Sequence, residues 1–579
     1  MRSAHQPDDR RRPGDGRRGP GRRRGADGGG GIRRRWPAAQ RNVSRLPDTQ
    51  RRRGARGRNR ASGHGVDRAR ARHQRRRGGR HDRGHCGGRQ RRRRRPLGVE
   101  RDPAADPRSD RRPPQLKEPT PYRPVSYLEW NAARRGSSLA VWQDGEEITF
   151  EQLLGQVRRL QKVLAARGVR DGDVVGVQLP NVWQYVALEL AVPDLGAIVL
   201  PMPLGLGTHE LRWINEKARP VLVVRDLPLE PADGLPSPRA AGPDPERIVE
   251  IALTSGTTGM PKLASLSARL KQVTFESFTS RLGITEHDRV LPMTPLTQGI
   301  GGMCLYSLRL GAALVMLREP HWKAEHCLRI AAESRSTVMV GVPTNVIRML
   351  NGPPPSLPTV RAVAVAGAPL PPEIAERWET TTGISISSFY GSMDAGQLAV
   401  ASPSDPQPLR WTTVGRPHER AEWRIIDGEI CMRGDLVQER YWGERAGPNA
   451  EDGWAHMGDL GFVDEQGYLH VVGRVKDIII RGGSNINPYE VESMLRAHPD
   501  VIDACVVARP DSDLGEVPVA FVVTVSGVDP GREEIQTFLE GRGLARYKWP
   551  EAVHRLDELP LSGPGKVNRK ALREHARAM

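Results

Sequence analysis

From Tyr127 to about residue 473 the chain alternates two patterns that belong to different secondary structures. Short apolar runs rich in β-branched residues recur at Val174–Leu179, Ala197–Leu200, Val221–Val224, Ile248–Leu253, Ala312–Leu317, Thr337–Val342 and Val363–Ala366. They are too short for helices and read as strands. Stretches of helical period lie between several of them. The clearest opens on Thr149 and Gln152, a capping-box pair, continues through Leu153, Val157, Leu160 and Leu164, and meets Gly168, which is placed to stop it. A second helix is expected over 183–191. Such alternation predicts an α/β layered fold with a largely parallel sheet.

The first fifth of the chain cannot take part in that fold. Residues 1–116 carry 38 Arg and no Lys against 11 acidic residues, a net charge of +27. Residues 117–579 carry 50 basic and 57 acidic residues, a net of −7. The basic excess is therefore confined to a leader without Phe or Tyr and with a single Ile, Ile32, across residues 1–112. A segment with so little to bury does not offset its ordering entropy and is expected to be disordered. Runs such as Arg91–Arg95 would suit nucleic acid or targeting. The bias toward residues of GC-rich codons points instead to a translated upstream region, with the true start near Leu116 or Val125. The mildly acidic remainder gives no reason to expect nucleic acid there. Five cysteines, at 86, 304, 327, 431 and 505, show no metal-ligand or redox spacing, which fits a reduced, cytoplasmic compartment. The most apolar region, 174–200, is broken by Gln178, Asn181, Glu189 and Asp194 and cannot be a membrane span.

Beyond residue 473 the texture changes. Helix is expected at Pro488–Leu495 and Glu533–Leu539, and strand at Ala504–Ala508 and Val517–Val525. This reads as a small α+β unit of about a hundred residues, joined through the Gly-rich, charged segment 473–483. The expected organisation is a leader at 1–116, a large α/β domain at 117–473 and a small mobile domain at 474–579.

The run Ile248–Leu253 leads into Thr254-Ser255-Gly256-Thr257-Thr258-Gly259-Met260-Pro261-Lys262. Two glycines let backbone N–H groups approach an anion, four hydroxyls add donors, and Lys262 adds a cation for phosphate oxygens. Pro261 stands where the common P-loop has Gly before Lys, so this is a different phosphate loop. Together with the motifs below, it resembles that of the adenylate-forming superfamily, which includes acyl- and aryl-CoA synthetases, adenylation domains of peptide synthetases, and luciferases. The resemblance covers about residues 120–579. It implies a large AMP-binding domain, a small mobile C-terminal domain, and a two-step reaction. A carboxylic acid and ATP would form an acyl-adenylate, and the acyl group would then pass to a thiol.

Gly367-Ala368-Pro369-Leu370 and Tyr390-Gly391-Ser392-Met393-Asp394 are similar to the family's adenine and magnesium region. The likeness implies adenine contacts from Gly367, Ala368, Pro369, Tyr390 and Gly391, and Mg²⁺ on Asp394, where the family has Glu. Gly458-Asp459-Leu460-Gly461 with Gly473-Arg474 is similar to the ribose site; a carboxylate can accept both ribose hydroxyl protons and Arg474 offers a planar fork of donors. Lys476 falls at the family's hinge position. Leu561-Ser562-Gly563-Pro564-Gly565-Lys566 resembles the mobile loop with its catalytic lysine. Its Gly-Pro-Gly lead would let Lys566 reach into a distant cleft.

Three residues depart from the pattern. Leu263 replaces a Gly, Met393 replaces a Thr, and Pro295 stands at or near a His that gates the acyl pocket. Catalytic roles are nevertheless implied for Lys566, Lys262 and Asp394. The acceptor implied is coenzyme A, or alternatively the phosphopantetheine of an acyl carrier protein. The segment Val177–Trp183 resembles one found in ligases for aryl, alicyclic and medium-chain acids. A protein of another class, a silent binder of ATP or acyl-AMP, is opposed by retention of both lysines.

Overall fold

The structure is a computed structural model. It describes residues 118–579 apart from 227–233, 255–259, 319–321, 394, 439, 445–446, 449–450, 526–527 and 562–566. The leader, the centre of the phosphate loop, Asp394 and Lys566 therefore lie outside the described residues.

The apolar runs form strands of two sheets. In the larger, nine strands lie in the order Arg416–Pro417, Gln397–Val400, Ser385–Gly391, Ala362–Val365, Val338–Gly341, Arg289–Pro292, Ala313–Met316, Leu139–Gln143 and Glu146–Thr149. The central pairings are parallel and those at both margins antiparallel. The second sheet orders Leu222–Val224, Val174–Val177, Ile198–Pro201, Ile248–Thr254 and Lys262–Ser267; its last pairing is antiparallel.

Strand period explains why continuous apolar runs were needed. Val338, Val340 and Ala364 pack into one hydrophobic cluster, whereas their neighbours Met339, Val363 and Val365 pack into another on the opposite face. The first cluster also receives Val175, Val177 and Val199 from the second sheet, so one core joins both sheets. Helix Phe150–Ala166 contributes Leu153, Val157, Leu160 and Leu164 to it; Thr149 and Gln152 form the expected capping box. Gly168, with φ of +87°, follows that helix. Helix Trp183–Asp194 runs three residues beyond the expected end; Pro193 falls in its last turn, and Asp194 at its end is held by Arg123 at 2.7 Å.

A four-stranded antiparallel sheet follows: Glu422–Ile426, Glu429–Arg433, Ala455–Val463 and Leu469–Arg474. The chain then makes a short 3-10 turn at Val475–Asp477 and enters the C-terminal unit. There the long hairpin Val501–Asp511 and Gly515–Thr524 is joined by the pair Ile479–Arg481 and Ser484–Ile486 and by Ala552–Leu556, and is covered by helices Pro488–Arg496, Arg532–Gly541 and Arg569–Ala578. The architecture is thus a large α/β domain with mostly parallel sheet followed by a small C-terminal domain. Part of the segment expected as the junction, 473–483, is strand. Among the described residues no helix is long and apolar enough to cross a membrane, and Cys304, Cys327, Cys431 and Cys505 are buried without disulfides.

Candidate active site

Several residues singled out in the sequence lie at the carboxyl ends of parallel strands, where ligands bind in open α/β sheets. Gly367, Ala368 and Pro369 follow strand Ala362–Val365 and are exposed; Gly367 has φ of +83°. Tyr390 and Gly391 end the adjacent parallel strand. A side chain at Gly391 would clash with the Gly396 carbonyl, so only Gly allows the next strand to approach this closely. Beyond it, the Ser392 N–H donates to the Gly396 carbonyl at 2.8 Å.

Tyr390 and Asp459 come together from elements 69 residues apart. The phenol donates to Asp459 Oδ2 at 2.7 Å, and Arg474 Nε lies 2.8 Å from Asp459 Oδ1. Asp459 and Arg474 are opposite one another across the antiparallel strands that carry them. Burial, reinforced by the adjacent carboxylate, pushes the Tyr390 phenol well above its ordinary pKa. It therefore keeps its proton and remains a donor. The Asp459 carboxylate is buried but fixed at both oxygens, and the Arg474 side chain is 42% exposed.

Thr254 and Lys262 are also paired opposite one another, so the phosphate-loop motif closes a β-hairpin. Lys262 donates to Tyr441 Oη at 3.2 Å and its ammonium lies 4.5 Å from the centre of that ring. The Tyr441 segment is pinned beside this strand by the bridge Ala264–Tyr441 and by Trp442 N–H donating to the Leu263 carbonyl at 2.8 Å.

Packing accounts for two of the three departures. Leu263 is 3% exposed, in a cluster with Ile198, Leu200, Met202, Ile214 and Ile251, where Gly would leave a void. Met393 packs against Ala252, Ala264, Leu266 and Leu270. Pro295 follows strand Arg289–Pro292 in a loop gripped by Asn181, which donates to the Thr294 carbonyl at 3.2 Å and accepts from Leu296 N–H at 2.8 Å.

At the junction, Lys476 is exposed while Asp477 is 5% exposed. Asp477 is bound by Arg573 at 2.6 Å, Arg569 at 3.8 Å and the Tyr489 hydroxyl at 3.4 Å, all from the C-terminal unit. Tyr441 and Asp477 were not singled out in the sequence. Neither carries a local pattern, since their partners come from remote segments.

Such a layered α/β body, with glycines and the Tyr390–Asp459–Arg474 group at strand carboxyl ends and a small second domain, has the form of a ligand-binding α/β enzyme. The description "AMP-binding enzyme" matches residues 128–442, and "AMP-binding enzyme C-terminal domain" matches 490–566. A 3-[(3aS,4S,7aS)-7a-methyl-1,5-dioxo-octahydro-1H-inden-4-yl]propanoyl:CoA ligase of Mycobacterium tuberculosis is 32% identical over 489 residues, covering 75% of this chain and 95% of that one. A salicylyl-CoA synthase / salicylate adenylyltransferase of a Streptomyces species is 31% identical over 524 residues, covering 79% and 94%. The crystal structure of the anthranilate CoA ligase AuaEII with anthranoyl-AMP matches at TM-score 0.73 and 25% identity, covering 79% of this chain and 98% of that one. The chain belongs to the AMP-binding enzyme family. It is an enzyme of the AMP-forming acid–thiol ligase type, whose reaction is activation of a carboxylic acid as its adenylate followed by thioester formation.

Proposed function

We propose that this enzyme activates an aryl or alicyclic carboxylic acid with ATP and transfers the acyl group to coenzyme A in the cytoplasm. The observation that supports the residue roles best is the buried Asp459 carboxylate, fixed by Tyr390 and Arg474 beside the carboxyl ends of the parallel strands. In this reading Asp459 and Arg474 hold the ribose hydroxyls, and Gly367–Pro369 with Tyr390 and Gly391 flank the adenine. Thr254–Lys262 embraces the phosphates. The substrate carboxylate oxygen attacks the α-phosphorus, the bond to the bridging oxygen breaks, and pyrophosphate leaves. These residues contribute position and fixed charge rather than covalent chemistry. Mg²⁺, when bound, neutralises phosphate charge, and the residue assigned to it is Asp394.

Lys566 is assigned to the charge developing on the α-phosphate and carboxylate. Domains 117–473 and 474–579 then rotate about Lys476, withdrawing Lys566 and admitting the thiol. The thiol sulfur attacks the acyl carbon and AMP departs as the leaving group. The substrate class rests on the two relatives' acids, both ring-bearing, and on the Val177–Trp183 segment, whose Asn181 shapes the loop carrying Pro295.

Pyrophosphate release across a panel of aryl, alicyclic and linear acids, with coenzyme A or a phosphopantetheinylated carrier as acceptor, tests this. Acid-dependent release followed by acyl-CoA accumulation is expected. ATP binding without release for any acid would favour a silent binder, and acylation of the carrier alone would replace the acceptor.

A further inference from the structure

Just before Asp459, the four-stranded sheet carries a second cluster that the proposed nucleotide chemistry does not use. Cys431 and His456 are directly opposed on neighbouring antiparallel strands, and Glu429 lies two residues before Cys431. Cys431 Sγ is 3.5 Å from His456 Nδ1, and that nitrogen is 2.8 Å from Glu429 Oε2. The three donor atoms all lie within 4.8 Å of one another. On the far side of the ring, His456 Nε2 is 3.3 Å from Asp452 Oδ2.

We propose that Glu429, Cys431 and His456 form a site for one zinc-type divalent cation, with Asp452 as the outer group that orients the imidazole and water as the fourth ligand. Bond lengths of about 2.3 Å to sulfur and 2.0–2.1 Å to nitrogen, set at the tetrahedral angle, separate those two atoms by about 3.6 Å. The observed 3.5 Å already meets that spacing. The corresponding nitrogen–oxygen edge is about 3.3 Å, so the carboxylate need retreat only by the difference between a hydrogen bond and a shared ligand edge.

The donor set selects the ion. A thiolate and an imidazole suit a borderline-soft cation, whereas Mg²⁺ takes oxygen. With Nδ1 on the metal, Nε2–H is left to donate to Asp452, the carboxylate–histidine arrangement that fixes ring orientation in metal sites. The side chains of Glu429 and His456 are 19% and 34% exposed, which gives a path of entry. Glu429 keeps its other oxygen on the Gly458 N–H at 2.7 Å, so loading the site does not require its release from the residue preceding Asp459.

Without metal the cluster holds protons. Burial, with Glu429 and Asp452 adding to it, pushes the Cys431 thiol up to about 11, and the hydrogen bond to Glu429 raises His456 above its ordinary value. Binding therefore expels the thiol proton as the sulfur–metal bond forms, together with the imidazolium proton at low pH. Affinity should rise with pH.

The test is titration of metal-free full-length protein with Co²⁺, followed by displacement with Zn²⁺. One equivalent with a sulfur-to-cobalt charge-transfer band is expected. Cys431→Ser should abolish that band, His456→Gln should weaken binding at least about tenfold, and Asp452→Asn should weaken it about 10–100-fold. Absence of the band from the wild type, or its persistence in C431S through Cys86 or other residues, overturns the proposal. If C431S or H456Q does not fold, D452N, altered at a partly exposed residue outside the ligand set, decides: unchanged Co²⁺ affinity overturns the site.

Discussion

Asp459, paired with the residue that precedes the short turn, and Asp477, the last residue of that turn, are almost equally buried and each beside arginine. They differ in where their partners come from. Asp459 is tied to Tyr390 at the end of a large-domain strand and to Arg474 on the neighbouring strand. Asp477 is tied to Arg573, Arg569 and Tyr489 of the C-terminal unit. The chain is thus anchored to one side through Arg474 and to the other through Asp477. Val475 and Lys476 are exposed between the anchors. A backbone rotation there need break neither ion pair, which is a physical reason to place the hinge at Lys476 and not at the glycines after it.

The largest expected effect comes from Lys566, proposed above to serve only one pose. Lys566→Ala should lower adenylate formation by about 10²–10³-fold, the scale for removing a donor aimed at developing charge. Thioester formation from supplied acyl-AMP should survive. Equal loss in both half-reactions would break the division between the two sides. Next comes Asp459→Asn, which removes the charge shared by Tyr390 and Arg474 while keeping the shape. Hydrogen bonds to charged groups contribute about 1.5–3 kcal/mol, so kcat/KM for ATP should fall about 10–100-fold, read as pyrophosphate release. An unchanged value would leave Asp459 a structural residue.

Lys476 sharpens the contrast because, at the proposed hinge, its backbone should matter more than its charge. Lys476→Pro fixes φ near −65° and removes an N–H. Thiol transfer should fall by about tenfold or more while adenylation survives, as for a hindered hinge. Lys476→Ala should do much less. If Pro and Ala behave alike with the protein folded, the turn is not the hinge.

The parallel strands were legible because burial on both faces demands continuous apolar runs, as in 338–341 and 362–365. The four-stranded antiparallel sheet was not, since Glu422–Ile426 is only partly covered and mixes Glu, Trp, Arg and Ile. One local signal could have found it. Asp427-Gly428, with φ of +50° and +84°, is the Asp-Gly turn of a tight hairpin; Asp144-Gly145 does the same between the first two strands. Site motifs were readable as residue types at fixed spacing. Their mutual partners were not, because Tyr390 with Asp459 and Lys262 with Tyr441 meet only through tertiary packing.

The smallest catalytic effect is expected at Asp477. Breaking a buried pair ordinarily costs about 3–5 kcal/mol, because the surviving charge is left without compensation. Here the survivors are better placed. Arg569 keeps Glu492 at 2.7 Å and stacks 4.4 Å from the Tyr489 ring, while Arg573 is 29% exposed and can turn to water. Asp477→Asn should therefore destabilise the C-terminal unit by only about 1–3 kcal/mol, the range for a lost charge-assisted hydrogen bond. Both half-reactions should stay within about twofold below the new melting temperature, since a shift of that size leaves the unit folded. Thermal unfolding paired with the two half-reaction rates checks this. A selective loss of thiol transfer at temperatures where the D477N protein is fully folded would mean that Asp477 helps set the poses themselves, and the boundary between anchor and hinge would then have to move one residue toward the C-terminus.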